Sequence, residues 1–358
     1  MDYEETYTET ELWKDHRKDI KSLTLSELKS EMEAMGEKSF RAKQMYEWMH
    51  GKLAAGYGEM TNIPATLVNQ CRERYSYTAL RIVRMQESQV DGTRKYLFEL
   101  ADGNMVESVF MRYKHGNSVC ISSQAGCRMG CQFCASTLDG LERNLLPSEM
   151  LDQIYAISRH TGERVSNVVV MGSGEPLDNY DCLLRFIELL TDENGLHISQ
   201  RNVTVSTCGI IPKMWELADR KLQITLAVSL HAATDEKRRQ LMPIAKTYSL
   251  HELIKACNYY FKQTGRRISF EYSLIKGVND TDEDARQLAT LIRHLNCHVN
   301  LIPVNPIKER DYVQSGRHAV EVFKNKLEKN GINVTIRREM GRDIDGACGQ
   351  LRRRYMEQ

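Results

Sequence analysis

The sequence has no long apolar segment. Among its 358 residues, no apolar run approaches the roughly 20 residues that a membrane-spanning helix needs. The acidic N-terminal stretch MDYEETYTETELWKD also lacks the basic and apolar regions of a signal peptide. Low-complexity segments and solenoid repeats are absent as well. These absences predict a globular, cytoplasmic protein.

The sequence also has little net charge. A formal charge of +1 gives no global attraction for nucleic acid, so such a partner would need a local basic surface. A run of like charges is more often a solvated face than a binding site. The candidate basic clusters are Lys237, Arg238 and Arg239; Arg266 and Arg267; Arg337, Arg338 and Arg342; and, near the C-terminus, Arg352, Arg353 and Arg354.

Hydrophobic residues and cysteines are plentiful. Hydrophobic residues make up 41% of the chain, which is enough for a buried core in two or three structural units. In a reducing compartment, ten cysteines do not favour a disulfide framework. Clustered cysteines are therefore better interpreted as metal ligands or catalytic thiols.

Residues 1–77 are predicted to form a small helical accessory unit. Thr24 and Glu27 form a capping box for a first helix, which Gly36 would end. The apolar stripe of a second helix is formed by Phe40, Met45, Trp48 and Met49. Residues 78–116 then change to short strand-like runs, with turns at Asp91-Gly92 and Asp102-Gly103, and predict an antiparallel β linker.

From residue 117 to 341 the chain alternates strand-like and helical patterns. The strand-like runs are 118–123, 167–172, 203–207, 224–229, 268–275 and 298–303. The helical patterns include 148–160, one with Leu183, Phe186, Ile187 and Leu190, and one with Leu288, Leu291, Ile292 and Leu295. About six βα repeats predict an α/β fold with a partial (βα)6 barrel, whose chemistry lies at the carboxyl ends of the strands. Residues 342–358 would form a separate C-terminal segment with a basic tail.

Three clustered cysteines follow the first barrel strand. Cys127, Cys131 and Cys134 form a CxxxCxxC array. A closed zinc site needs four protein ligands, whereas a 4Fe-4S cluster held by three thiolates leaves one iron open. Zinc completed by Cys120 or a distant cysteine, and inert buried thiols, are the alternatives. The GSGEP loop after the second strand would allow close backbone approach and offers the Glu175 carboxylate to an amino group.

CxxxCxxC after the first strand of such a barrel resembles the radical SAM superfamily. The rest of the chain, from FRAKQMYEW at 40–48 nearly to the C-terminus, is similar to the RlmN and Cfr family of RNA adenine methyltransferases. The matching motifs are VESV at 106–109, CISSQAGC at 120–127, GEPLDN at 174–179, STCG at 206–209, SLH at 229–231, NLIPVNP at 300–306 and DIDGACGQL at 343–351.

Two positions of the GSGEP loop compare differently with that family. Pro176 resembles the C2-methylating RlmN branch, whereas the C8-methylating Cfr branch tends to have Ala there. Ser173 departs from the pattern, because the loop often carries Met at this position. We expect that difference to affect packing near the cofactor rather than the reaction.

The resemblance implies a role for each motif residue. Cys127, Cys131 and Cys134 would bind a 4Fe-4S cluster, and S-adenosyl-L-methionine (SAM) would be contacted by Gly174, Glu175, Ser206, Ser229, Leu230, His231 and Asn305. Cys348 would be the methyl carrier, Cys120 the second catalytic cysteine and Glu107 the proton acceptor. The residues alone leave other interpretations open: Cys348 and Cys120 could be small buried residues, and Glu107 could face solvent.

The C2 carbon of adenine is not a nucleophile, so a radical route is needed. In the family's scheme Cys348 takes a methyl group from one SAM, and a radical derived from a second SAM activates it for addition to adenine. Glu107 then accepts the C2 proton, and Cys120 releases the RNA by forming a disulfide with Cys348. The implied partners are 23S rRNA, in many members tRNA, and a flavodoxin-type electron donor. The alternatives are C8 methylation of the Cfr type and a zinc-dependent RNA-binding protein without catalysis.

Overall fold

The computed structural model describes residues 17–305, 309–344 and 349–356. Its strands are β1 (Lys18–Asp19), β2 (Tyr75–Ser76), β3 (Arg81–Glu87), β4 (Arg94–Glu99), β5 (Met105–Tyr113), β6 (Gly116–Ile121), β7 (Gln124–Gly126), β8 (Leu141–Asn144), β9 (Asn167–Val170), β10 (Val203–Thr207), β11 (Thr225–Ser229), β12 (Ile268–Leu274), β13 (Cys297–Pro303) and β14 (Asn333–Ile336). Its helices are α1 (Leu25–Ala34), α2 (Ser39–Tyr46), α3 (Ala65–Arg74), α4 (Pro147–Thr161), α5 (Tyr180–Thr191), α6 (Ile211–Asp219), α7 (Asp235–Leu241), α8 (Leu250–Thr264), α9 (Asp282–Ile292), α10 (Arg317–Lys329) and α11 (Gln350–Met356).

A ten-stranded sheet forms the centre of the molecule. Its order is β14-β13-β12-β11-β10-β9-β6-β5-β4-β3. Within this order, all neighbouring strands between β14 and β6 are parallel. All six predicted barrel strands are present, so the predicted α/β class with a partial barrel is confirmed. The seventh parallel strand, β14, was not predicted; it pairs with β13 through Val299 and Val334.

The three antiparallel strands β3, β4 and β5 extend this sheet. The turns between them contain the predicted Asp91-Gly92 and Asp102-Gly103 pairs. β5 pairs antiparallel with β6, with Val109 opposite Cys120. Residues predicted as a linker therefore continue the barrel sheet and bring β5 beside the first barrel strand.

The N-terminal unit consists of short helices, as predicted. The capping box of α1 is confirmed, because the Thr24 hydroxyl accepts from the Glu27 amide and the Glu27 carboxylate accepts from the Thr24 amide. Met45 and Met49 are buried, whereas Phe40 is 50% exposed and was wrongly assigned to the apolar stripe. The buried face of α2 runs through Ala42 and Met45. Phe40 stands two positions before Ala42 and therefore lies on the opposite side of the helix.

The N-terminal unit is attached to the barrel by buried polar contacts with α4. The Lys21 ammonium donates to Asp152 at 2.6 Å, and both side chains are fully buried. The same ammonium donates to the Thr78 carbonyl oxygen at 2.8 Å. His50 and Tyr155 are joined by a further buried hydrogen bond of 2.8 Å. Because a buried ion pair must satisfy its hydrogen bonds to offset desolvation, these contacts fix one arrangement of the two parts.

The carboxyl ends of the parallel strands meet at one edge of the barrel. The cysteine loop follows β6 and β7, the GSGEP loop follows β9, and SLH ends β11, as predicted. In a βα barrel this edge is where loops from several strands can converge on one ligand. In the described part of the chain, no helix combines the length and hydropathy needed to cross a bilayer.

Candidate active site

The loop from Cys127 to Cys134 leaves β7 through a tight bend. Gly126 has φ +79°, and a Cβ there would lie 2.1 Å from the Gly140 carbonyl oxygen. That carbonyl accepts a 2.7 Å hydrogen bond from the Cys127 amide. Only glycine allows this approach, so Gly126 fixes where the first cysteine of the array lies.

Four further contacts hold the same loop. The Thr137 hydroxyl lies 3.1 Å from the Cys131 carbonyl oxygen and 2.9 Å from that of Cys134. The Gln132 amide donates to the Leu241 carbonyl at 2.9 Å. The Phe133 ring meets the His231 ring edge-on, with centroids 4.6 Å apart. The cysteine loop is therefore anchored at both ends and in its middle.

The cysteine thiols share an environment that disfavours free thiolates. Burial, together with the charges of the Cys134 thiolate and Glu175, raises the pKa of the Cys127 thiol to about 12. Burial also raises the pKa of Cys131 well above its usual range, and the charges of Cys134 and Cys127 add to the effect. Three mutually repelling thiolates suit a positively charged metal group, which binds thiols only in the deprotonated form.

The three thiols therefore fit a 4Fe-4S cluster as its ligands. In the described part of the chain, no three His, Cys, Asp or Glu side chains are close enough to share one metal ion. A four-iron cluster does not require such closeness, because each thiolate binds a different iron.

The GSGEP loop packs tightly against the segment before Cys127. Gly174 has φ +103°, and a Cβ there would lie 2.7 Å from the Gln124 amide nitrogen. The Ser173 hydroxyl donates to the Gly126 carbonyl at 3.2 Å, and the Ser173 amide donates to the Ser122 hydroxyl at 3.0 Å. Ser173 thus joins the GSGEP loop, through two hydrogen bonds, to the segment that leads into the cysteine array.

Glu175 is buried and oriented by backbone amides. One carboxylate oxygen accepts from the Cys208 amide at 2.7 Å, and the other accepts from the Leu177 amide at 3.0 Å. Burial raises the pKa of Glu175, and these hydrogen bonds oppose the rise. The side chains of Thr207 and Cys208 also hydrogen-bond to this carboxylate, so its orientation is fixed from several directions.

The SLH segment places His231 against the cysteine loop in a fixed tautomer. His231 has φ +54°, and its Nδ1 accepts from the Ser273 amide at 2.9 Å. Burial, together with the Arg238 charge, lowers the pKa of His231 to about 3. The ring is therefore neutral with the proton on Nε2. Leu230 is fully buried, whereas Ser206 and Ser229, on adjacent strands β10 and β11, are partly exposed.

Cys120 and Asn305 line one cavity of about 310 Å³. It is also lined by Val109 and Met111 of β5 and by the exposed Arg337, Arg338 and Arg342. Cys120 is 4% exposed and lies between β5 and β9 in the sheet. The structure thus brings together two predicted site residues and one predicted basic cluster.

Glu107 is buried and contacts the C-terminal helix, so it does not face solvent. Its carboxylate pairs with the fully buried Lys95 at 2.9 Å. It also accepts from the amides of Gly349 and Arg352, each at 2.6 Å, and so caps α11. Cys348 lies outside the described residues; Gly349 follows it in sequence. The predicted proton acceptor is therefore hydrogen-bonded to the residue that follows the predicted methyl carrier in sequence.

Two residues of this region were missed or misplaced by the sequence reasoning. Lys95 was missed, because only strand register makes it a diagonal neighbour of Glu107 across β4 and β5. Arg238 was assigned to a basic surface with Lys237 and Arg239, but it is fully buried and Lys237 pairs with Asp284 at 2.7 Å. That cluster is not an exposed basic face.

The other basic clusters differ in exposure. Arg337, Arg338 and Arg342 are exposed at the cavity. Arg267 and Arg354 are also exposed, whereas Arg266, Arg352 and Arg353 are partly buried. Arg266 donates to the Thr225 hydroxyl at 3.2 Å, and Arg353 pairs with Glu309 at 3.3 Å.

Comparison with known proteins agrees with this geometry along nearly the whole chain. The family described as "Radical SAM superfamily" matches residues 121–289, and "Ribosomal RNA large subunit methyltransferase N-terminal domain" matches residues 18–76. A relative from Lachnospira eligens, described as "Probable dual-specificity RNA methyltransferase RlmN", is 68% identical over 95% of this chain and 97% of its own. The chain belongs to the RlmN family.

Further relatives support RlmN membership in sequence and in structure. A protein of the same description from Lachnoclostridium phytofermentans is 59% identical, with 95% of each chain covered. The crystal structure of a radical SAM methyltransferase from Sphaerobacter thermophilus is 42% identical, with a TM-score of 0.89 over 93% of this chain and 98% of that one. The fold is therefore the radical SAM fold, and the family implies SAM and a 4Fe-4S cluster as cofactors.

Proposed function

We propose that this RlmN-family protein methylates C2 of an adenine in 23S rRNA, and of an adenine in tRNA. The cavity carries this proposal, because Cys120, Asn305 and three exposed arginines line it. The dual specificity rests on the descriptions of the relatives. Pro176 supports C2 rather than C8 as the site of methylation, by resemblance to the RlmN branch. We place the protein in the cytoplasm, where these RNAs are made.

In the proposed mechanism, Cys127, Cys131 and Cys134 would hold the 4Fe-4S cluster. Bound there with SAM, it would supply the radical chemistry that an unreactive C2 carbon requires. Glu175 would accept a hydrogen bond from the SAM amino group, with Gly174, Ser206, Ser229, Leu230, His231 and Asn305 as further contacts. The neutral His231 keeps the same charge throughout the physiological pH range, so it would act as a fixed donor or packing surface.

The proposed transfer steps use Cys348, Glu107 and Cys120. Cys348 would carry the methyl carbon to the adenine, which joins protein and RNA covalently. Glu107 would accept the C2 proton; its buried carboxylate is held by Lys95 and by the first turn of α11. Cys120 would then attack the sulfur of Cys348, which frees the RNA and leaves a disulfide. A flavodoxin-type donor would supply electrons.

RNA recognition would combine a cavity for one base with basic contacts around it. An adenine inside a stack cannot reach a barrel mouth, so the target base must be unpaired or extruded. We assign phosphate contacts to Arg337, Arg338 and Arg342, which are exposed at the cavity. The N-terminal unit, residues 1–77, would grip a neighbouring part of the folded RNA.

Product analysis tests the proposed reaction. Reconstituted enzyme, incubated with SAM, reductant and unmodified 23S rRNA or tRNA, is expected to yield 2-methyladenosine, identified by mass spectrometry against both methyl isomers. Cys348→Ala is expected to yield none while keeping its cluster, because the methyl group has no carrier. As a matched control, Cys182→Ala on α5 is expected to stay active. 8-Methyladenosine, or methyl transfer by Cys348→Ala, would contradict the proposal.

The arginines at the cavity are tested by the salt dependence of RNA binding. Arg337→Ala combined with Arg338→Ala is expected to weaken binding to all RNA sequences alike and to lower the slope of log K against log salt by about 2, since each phosphate contact contributes about 1. The control, Arg201→Ala with Arg293→Ala, removes exposed charges before β10 and β13, at the opposite edge of the barrel. Equal slopes for the two double variants would remove these arginines from the RNA contact.

A further inference from the structure

Arg238 of α7 is fully buried and holds the ends of two strands together. One Nη donates to the Cys208 carbonyl at 2.7 Å and lies 3.2 Å from the Ser229 carbonyl oxygen. Its Nε donates to the Leu230 carbonyl at 3.3 Å. Cys208 directly follows β10 and Ser229 ends β11. The planar guanidinium therefore bridges the two strand ends on which Ser206, Ser229 and Leu230 lie.

The charge of Arg238 has no carboxylate among these partners. All three acceptors are backbone carbonyls, and the other Nη is buried without a hydrogen-bond partner in the described part of the chain. Asp235, on the same helix, accepts from the Leu250 amide at 2.8 Å. A guanidinium buried in this way carries a large desolvation cost, which a nearby anion would offset.

The cysteine loop contacts the C-terminal end of α7. The Gln132 amide donates to the carbonyl of Leu241, the last residue of the helix. Leu241 and Met242 belong to a small apolar cluster with Cys208, and Cys131 and Phe133 pack against that cluster. Cys208, whose carbonyl accepts from Arg238, therefore shares this cluster with the loop that carries Cys131.

We propose that Arg238 is a positioning residue that fixes the SAM-contacting ends of β10 and β11 and, through its charge, stabilises the electron added to the cluster bound by Cys131. This inference rests on the proposed cluster ligands. A reducing electron makes the cluster more negative, and a fixed positive charge in a medium of low dielectric favours that state. The electron comes from the external donor, and Arg238 itself neither gains nor loses a proton, because a guanidinium stays charged.

Three variants separate the charge of Arg238 from its shape. Arg238→Gln removes the charge, Arg238→Lys keeps it but cannot span three carbonyls, and Arg239→Gln removes the exposed neighbouring charge as a control. Each is reconstituted anaerobically, and its reduction potential, SAM dissociation constant and melting temperature are measured. Arg238→Gln is expected to lower the reduced fraction at a fixed potential about tenfold, which is 59 mV for one electron.

Arg238→Lys is expected to keep a reduction potential close to that of the unmodified protein but to bind SAM several-fold more weakly. If Arg238→Gln loads its cluster and keeps the unmodified potential, the electrostatic role is wrong. If Arg238→Gln does not fold, Arg238→Lys decides: unmodified SAM affinity would overturn the positioning role, and a changed potential despite the retained charge would overturn the electrostatic role. Failure of the proposed function would give a different result: the unmodified protein itself would carry no cluster or would form no methyladenosine.

Discussion

Replacing Cys131 with alanine is expected to remove the cluster and with it all cleavage of SAM. Cys131 is the middle thiol of the array, in a loop fixed by hydrogen bonds to Thr137 and Leu241. The two remaining thiolates cannot retain a cluster that needs three protein ligands and one open iron.

The same substitution is expected to leave the fold intact. The core of the barrel consists of apolar side chains from its strands and helices, unlike a zinc finger, which folds only around its metal. Cys131 packs at the edge of the small apolar cluster, so losing its sulfur should cost about 1 kcal/mol of unfolding free energy.

Iron and labile-sulfide analysis after anaerobic reconstitution, with thermal unfolding measured in parallel, checks both expectations. The matched control is Cys257→Ala, which truncates a fully buried thiol of α8 and should retain iron, sulfide and SAM cleavage. A Cys131→Ala protein with an intact, SAM-cleaving cluster would refute the ligand assignment. Zinc without sulfide in the unmodified protein would favour the zinc-binding alternative instead.

The sequence predicted the barrel strands well because their pattern is local. Runs such as 203–207 are rich in β-branched residues and stand between helical patterns, so each is visible without knowledge of its partner. β14 is only four residues long and follows α10 closely, which left its pattern weak. Strand partners are not local, and the joining of β5 to β6 therefore emerged only from the structure.

The meeting of the motif residues at one edge was predictable, because the carboxyl ends of parallel strands converge. The surroundings of individual charged side chains were not predictable from the sequence. Arg238 stands in a run of three basic residues that looks like any solvated surface, yet its neighbours across space are strand-end carbonyls. Glu107 looks like an exposed strand residue until the register places Lys95 diagonally opposite and α11 lies above it. Such contacts depend on chain segments far apart in sequence.

The role of Cys120 distinguishes the proposed mechanism from any scheme in which SAM methylates the base directly. Its side chain lines the cavity with Asn305, and its backbone pairs with Val109 and Val169 on either side. Alanine keeps this backbone pairing and removes only the thiol, so Cys120→Ala should fold, load its cluster and methylate Cys348.

Without the Cys120 thiol, the reaction is expected to stop after the methyl carbon has joined the RNA, because nothing attacks the sulfur of Cys348. The measurable result is a slowly migrating protein band on denaturing gels that nuclease collapses, with multiple turnover lost. The control is the double variant Cys120→Ala/Cys348→Ala, which should show no such band because the point of attachment is gone. Normal multiple turnover by Cys120→Ala, without an adduct, would show that Cys120 is only a packed strand residue and that Cys348 is released by another group.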